Sequence, residues 1–250
     1  MTSALEREIL RKPVFTSNPG RLERPFEMVV LAASAGGIEA LSALLEFFPP
    51  DFPVPVAIVQ HRRSNPRSVL AKILQKHCSL AVTDARDHDL IEPGHVYLAP
   101  ADWHLVVRDD RSFGFSDGRR IRYLRSAADP LFESAAEAYR EKLIAVVLTG
   151  GDSDGSDGVR AVKEAGGLVI VQDESTSRRF DMPRSAIGTG CVDFVLPLEL
   201  IGPILSQLVK PRLWVREPRR RGSEPAAPAV SRMTLHDKPD RVYVDGTEAR

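Results

Sequence analysis

Residues 28–40 read MVVLAASAGGIEA, and the way this stretch is taken decides the fold. An apolar run enters a buried strand, Ser34 follows with Gly36 and Gly37, and an apolar-periodic segment then continues to about Phe47, where Pro49 and Pro50 end it. That order spells strand, tight turn and helix. Such a turn holds a serine hydroxyl at the carboxyl end of a strand, while the first N–H groups of the new helix stay unpaired and face any developing negative charge. A nucleophile suits the place. A phosphate suits it equally, so these residues alone do not choose between an acyl-transfer enzyme and a nucleotide binder.

Outward from this unit the chain alternates strand-like and helix-like segments. PVAIVQH gives a second apolar strand ending at His61, and Asn65-Pro66 opens a helix with Val69, Leu70, Ile73 and Leu74 on one face. AVTDA, HVYLAP and HLVVR are shorter strand candidates, continued through residues 113–116 across a hairpin turn. Asp129-Pro130 opens a helix through Tyr139, IAVVLTG is a third strongly apolar strand, residues 159–165 form a helix, and GLVIVQD returns to the sheet. The last helix, residues 198–208, carries Leu200, Ile201, Ile204 and Leu208 as its apolar stripe. The expected fold is α/β: a doubly wound, mainly parallel sheet with helices on both faces and a short antiparallel excursion near residues 80–117. In open sheets of this kind sites form outside the carboxyl ends of the strands. The three most apolar strands end at Ser34, at His61 and just before the loop GGDSDG, so a serine, a histidine and an aspartate converge on one edge. Those are the side chains of a nucleophile, a general base and a carboxylate that fixes the base's tautomer.

Composition sets the outer limits. The 250 residues are 43% hydrophobic and carry 34 basic against 34 acidic side chains, which allows one sizeable core and no global pull toward nucleic acid or an anionic membrane. Three parts are expected: a flexible lead-in over residues 1–25, interrupted by Pro13, Pro19 and Pro25; one domain over 26–210; and an Arg/Pro-rich tail over 211–250 that is too polar to order itself, apart from a weak strand signal in RVYVDG. Cys78 and Cys191 lack metal-ligand spacing and read as free thiols of a reducing compartment. No apolar run reaches the length of a membrane span and no signal peptide opens the chain, so the expected location is the cytoplasm.

The order Ser, His, Asp is not that of the α/β-hydrolases, chymotrypsin-like enzymes or subtilisins, and Ala32 stands where G-x-S-x-G needs its first glycine. A more specific likeness is carried by AASAGG, by VQH at residues 59–61 and by LTGGDSDG at residues 148–155. The pieces PGHVYLAPADWHL, SAADPLF and DMPRSAI agree with it, in order, between Met28 and Val209. Together they resemble the catalytic domain of the CheB-type protein-glutamate methylesterases, whose motifs are G-x-S-T-G-G, Q-H, L-T-G-x-x-x-D-G, P-G-x-x-Y-I-A-P-x-x-x-H, S-x-D-x-L-F and G-M-P-x-x-A. The resemblance implies Ser34 as nucleophile, His61 as general base and Asp154 as orienting carboxylate. It also implies backbone donors at Ala35 and Gly151 for the oxyanion, and His104 and Met182 beside a substrate groove. The implied reaction is hydrolysis of glutamyl γ-methyl esters on chemoreceptor helices with release of methanol, in chemotaxis or a related sensory system, with deamidation of receptor glutamine at the same site and no cofactor.

Each residue also has a plainer explanation. A serine in a Gly-containing turn is commonly a helix cap, and a histidine after a strand commonly satisfies a local hydrogen bond. Asp152 and Asp157 rival Asp154, which is preferred on spacing from LTG alone. A calcium loop counted from Asp152 fails, because it puts Asp157 at the glycine position and Lys163 at the bidentate glutamate. His88, His95 and His104 are spaced too irregularly for a metal site. Arg62, Arg63, Arg178 and Arg179 either face an acidic receptor or are solvated loop charges. Against the family pattern, Ala32 replaces glycine, Ala35 replaces threonine and Gly151 replaces a common methionine. The lead-in is too short for the family's usual receiver domain, which leaves two expectations: activity that is unregulated, or control through a partner by way of the C-terminal tail. Two other readings stand beside the enzyme: a catalytically idle scaffold that docks on receptors or signalling partners, and a mononucleotide binder, which lacks G-x-G-x-x-G spacing and a P-loop lysine.

Overall fold

The computed structural model describes residues 22–23, 26–62, 69–116, 126–210 and 212–213. The expected helix start at Asn65-Pro66, most of the lead-in, and the tail with its RVYVDG segment lie outside them. In chain order the strands are β1 (Leu22–Glu23), β2 (Met28–Ala33), β3 (Val56–Gln60), β4 (Ala81–Asp84), β5 (His95–Leu98), β6 (His104–Val107), β7 (Phe113–Ser116), β8 (Leu143–Val147), β9 (Leu168–Gln172), β10 (Phe194–Leu196) and β11 (Arg212–Leu213). The helices are α1 (Gly37–Leu45), α2 (Leu70–Gln75), α3 (Ala128–Tyr139), α4 (Ser156–Glu164), α5 (Asp181–Gly188) and α6 (Leu198–Leu208).

Strand β2 lies at the middle of a seven-stranded sheet in the order β10-β9-β8-β2-β3-β5-β4, and every pairing in it is parallel. Both faces are covered, which is why β2, β3, β8 and β9 are buried along their whole length and read as unbroken apolar runs. Alternate residues of β2 feed two cores. Val29, Leu31 and Ala33 meet Leu41, Leu44 and Leu45 of α1, Leu74 of α2 and Ile201, Leu205 and Leu208 of α6. Met28, Val30 and Ala32 meet Leu131, Phe132 and Ala135 of α3, Val159 and Val162 of α4, and Met182 of α5. Each fully buried leucine adds roughly 1.5–3 kcal/mol, so a one-residue slip of β2 would exchange two matched surfaces at once.

The antiparallel excursion is present as the β6–β7 hairpin, His104 opposite Ser116, and it is narrower than the expected span because β4 and β5 belong to the parallel sheet. A parallel pair needs a crossover that leaves the sheet. Residues 85–94 supply it without a helix, bridging to the hairpin at Leu90–Ser112 and returning through Gly94, whose φ is 74°. That irregular connection has no periodicity to betray it. Cys78 is buried and Cys191 partly so, both as free thiols. Among the described residues no helix is long and apolar enough to cross a membrane.

Candidate active site

The strand order changes direction between β2 and β8: the chain passes from β3 to the edge strand β4, steps back to β5 between them, and later crosses to β8 on the other side of β2. The helix after β2 packs on one face and the helix after β8 on the other, which opens a crevice at the carboxyl ends of these two strands. Ser34, His61 and the 149–155 loop all sit at this edge.

Ser34 is half-buried and its backbone is held from three sides. Its N–H donates to the Thr149 carbonyl at 2.9 Å. Its carbonyl accepts from the Gly37 N–H at 2.9 Å and from Gln60 Nε2 at 2.8 Å. The same Gln60 nitrogen donates to the His61 carbonyl at 3.1 Å, so one buried amide sets the two strand ends relative to each other. Gly36 turns the chain from strand to helix at φ 81°, a region that costs an L-residue with a Cβ about 1–2 kcal/mol. The Thr149 hydroxyl donates to the Ala35 carbonyl at 2.9 Å and accepts from the Arg179 N–H at 2.9 Å, tying the serine turn to the segment before α5.

Gly150 lies against the serine. A Cβ there would come within 2.9 Å of the Ser34 Cβ and collide with the Met182 sulfur, so only glycine lets this loop approach. Its N–H is taken by the Arg179 carbonyl at 2.9 Å. The N–H groups of Ala35 and Gly151 make no hydrogen bond among the described residues, and both residues are exposed.

His61 continues the β3 ladder through its N–H to the Ala33 carbonyl, 2.9 Å, and its ring is gripped at both ends. Nε2 lies 2.6 Å from Asp154 Oδ2 and Nδ1 lies 3.1 Å from Asp152 Oδ2. The ring is 5% exposed, the Asp154 side chain 0% and the Asp152 side chain 33%. Burial pulls the imidazole pKa down, but the hydrogen bonds and charges of Asp152 and Asp154 outweigh it and push the pKa up to about 9.

Asp154 also accepts the Ala128 N–H at 2.5 Å and, through Oδ1, the Asp129 N–H at 3.4 Å. These are first-turn donors of α3, whose N-cap residue Ala127 brings no side-chain cap of its own. The carboxylate is thus the missing cap, supplied from 26 residues away, where the helix dipole favours negative charge. Asp129, in the first turn of α3, returns the service by accepting the Gly158 N–H in the first turn of α4 at 2.8 Å. Burial, and then the neighbouring charges of Asp154 and Asp157, raise the Asp129 pKa to about 7 despite that hydrogen bond.

A family model described as CheB methylesterase matches residues 29–205. The chain belongs to the CheB methylesterase family. A relative from Anaeromyxobacter dehalogenans, "Protein-glutamate methylesterase/protein-glutamine glutaminase 2", is 41% identical over 192 residues, which is 77% of this chain and 56% of that one. A Leptospira interrogans protein with the same pair of activities in its name is 42% identical over 183 residues, covering 73% of this chain and 95% of its own. The CheB methylesterase catalytic domain of Thermotoga maritima superposes with a TM-score of 0.71 at 37% identity, over 74% of this chain and 99% of that domain.

Within this CheB-family chain the expected residues are placed unevenly. His61 and Asp154 meet. Ser34 is beside Gly150, one strand over from His61, and no hydrogen bond joins its hydroxyl to the ring among the described residues. His104 and Met182 are 2% and 0% exposed and so present almost no surface to a groove: His104 Nδ1 accepts the Ala127 N–H at 3.1 Å, and Met182 backs Gly150. Arg62 turns away to the Ala99 carbonyl, Arg179 pairs with Asp181 at 3.0 Å, and Arg178 is exposed; Arg63 lies outside the described residues. His88 is exposed in a charged loop beside Asp87. In the sequence Asp152 stands only as a rival to Asp154; nothing in the spacing shows that both reach the same ring. Gln60 was legible only as the residue before His61.

Proposed function

We propose that this chain is a serine esterase that hydrolyses the γ-methyl esters of glutamate side chains on methyl-accepting receptors, releasing methanol, and that the same site deamidates glutamine. The observation that carries it is the 2.6 Å contact of His61 with the fully buried Asp154 at the end of the strand next to Ser34, in a chain of a methylesterase family. With Nε2 committed to Asp154, Nδ1 is the ring atom left to take the Ser34 proton. The alkoxide attacks the ester carbonyl, and the Ala35 and Gly151 N–H groups receive the oxyanion; each such donor is worth on the order of 3 kcal/mol. The imidazolium returns its proton to the methoxide oxygen and methanol departs. Water, deprotonated by the same ring, then frees the glutamate from the acyl-serine.

Methanol release from a methylated receptor preparation tests this. Ser34→Ala lowers turnover by on the order of 10⁴- to 10⁶-fold while leaving the thermal midpoint in place. One observation favours a second reading, an inactive docking scaffold: with carboxylates on both ring nitrogens, His61 has no lone pair for Ser34 in this state. A well-folded wild type that releases no methanol at any pH from about 6 to about 10 selects the scaffold.

A further inference from the structure

We propose that Asp152 is a positioning residue that works against the reaction: its carboxylate clamps Nδ1 of His61, and Ser34 cannot be deprotonated until that clamp lets go. The inference rests on the esterase reading and adds a control element to it.

The argument begins with which contact can break. Asp154 is fully buried and holds the first turn of α3 as well as Nε2, so releasing the ring there would strip a helix of its cap. Asp152 is one-third exposed. It lies in a loop between Gly151, where an added Cβ would meet nothing nearer than Arg179 Nε at 4.0 Å, and the Asp154 N–H, which Asp152 Oδ1 accepts at 2.9 Å. The nitrogen that can be freed is therefore the one that must act. While Asp152 Oδ2 sits on it, both ring nitrogens donate and the ring is an imidazolium, which has no lone pair to accept a proton.

The surrounding charge points the same way. Asp152 and Asp154 face the ring; Asp129 on α3 lies behind Asp154, and Asp157 of α4 adds to the field at Asp129. Arg62, the cation next in sequence, turns away to Asp84 and the Ala99 carbonyl. Removing the second proton would leave a neutral ring between two carboxylates with a third carboxyl group behind, and Asp152 contributes the largest single upward push on the imidazole pKa. The clamp opens as pH rises or when a bound chain displaces Asp152 from Nδ1. Gly151, which offers an oxyanion donor, and Asp152, which holds the base, are adjacent residues of one loop, so a substrate that settles on the first is placed to move the second.

The test uses the full chain with labelled imidazoles, and His61→Gln identifies the His61 signal among the six histidines. NMR titration gives the midpoint, and methanol release from methylated receptor gives the pH–rate profile. Asp152→Asn keeps the Oδ1 acceptor for the Asp154 N–H. It lowers the His61 midpoint by about one unit or more, moves the acidic limb of kcat/KM down with it, and raises the rate at pH 7 roughly tenfold. Asp152→Ala moves both in the same direction. A midpoint that stays put in both variants overturns the clamp, and wild-type methanol release in that case leaves the esterase reading standing. A midpoint that falls while the rate drops at every pH as far as in Asp154→Asn also overturns it, because Asp152 then assists the base. A midpoint that falls while neither the wild type nor any variant releases methanol sinks the esterase reading, and with it any control by Asp152 over that reaction, leaving only the ion pair.

Discussion

At neutral pH His61, with its pKa raised to about 9, keeps its second proton, so folding captures a charged ring between Asp152 and Asp154. The folded pKa lies above the unfolded value of about 6.5. The stability gained is therefore fully present below about pH 6.5 and is lost as pH rises through about 9, a swing of about 3 kcal/mol. Denaturant unfolding of His61→Gln checks it: the variant is weaker than the wild type near pH 6, and the gap closes by about pH 10. Gly150 makes a second test at this scale. Because a Cβ would press on the Ser34 Cβ and into the Met182 sulfur, Gly150→Ala costs about 1–3 kcal/mol and lowers methanol release by about a hundredfold or more through displacement of the serine. Sequence showed these glycines as a turn signal. It did not show that a methionine and a serine close over one of them, since that contact joins residues from three distant segments.

Helices α3 and α4 cap each other. Asp154, at the entry to α4, accepts from the first turn of α3, and Asp129, in the first turn of α3, accepts from the first turn of α4. Both positive helix ends thus converge on two carboxyl groups, and the shared negative charge is what pushes Asp129 up beyond its burial. Its folded pKa exceeds the unfolded value, so its contribution is present below about pH 4 and is lost as pH rises through about 7. Asp129→Asn keeps an acceptor for Gly158 without the charge. Urea melts therefore place it on the order of 1–3 kcal/mol above the wild type at about pH 8, with the advantage gone near pH 4. Asp154→Ala does the reverse, losing a cap and leaving the His61 charge with one carboxylate fewer, for about 2–5 kcal/mol at pH 7. The helices themselves were readable from Asp129-Pro130 and from the apolar pattern of 159–165. Their reciprocal caps were not, because a cap supplied 26 residues away leaves no local capping residue to see.

Across the whole molecule, the parallel sheet and its two cores were legible because strands covered on both faces must be apolar throughout, and 28–33, 56–60, 143–147 and 168–172 are. The three segments meeting at one edge followed from that alone. What sequence blurs is polar and irregular: the crossover of 85–94, which joins two parallel strands inside the span where the antiparallel excursion is expected, and the aspartates of GGDSDG, whose spacing cannot say which carboxylate faces a ring. The pH dependences of His61 and Asp129 have the same sign, so the folded chain weakens from about pH 4 toward about pH 9 while the proposed base gains its lone pair over the upper part of that range. Because Asp154 serves a helix end and an imidazole together, the three polar residues of the crevice are not equally free to drift. A descendant that gave up the reaction could shed Ser34 at little structural expense, whereas position 154 would stay acidic for the sake of the helix; among diverged copies of this chain, a retained aspartate is thus weak testimony to activity and a retained serine strong testimony.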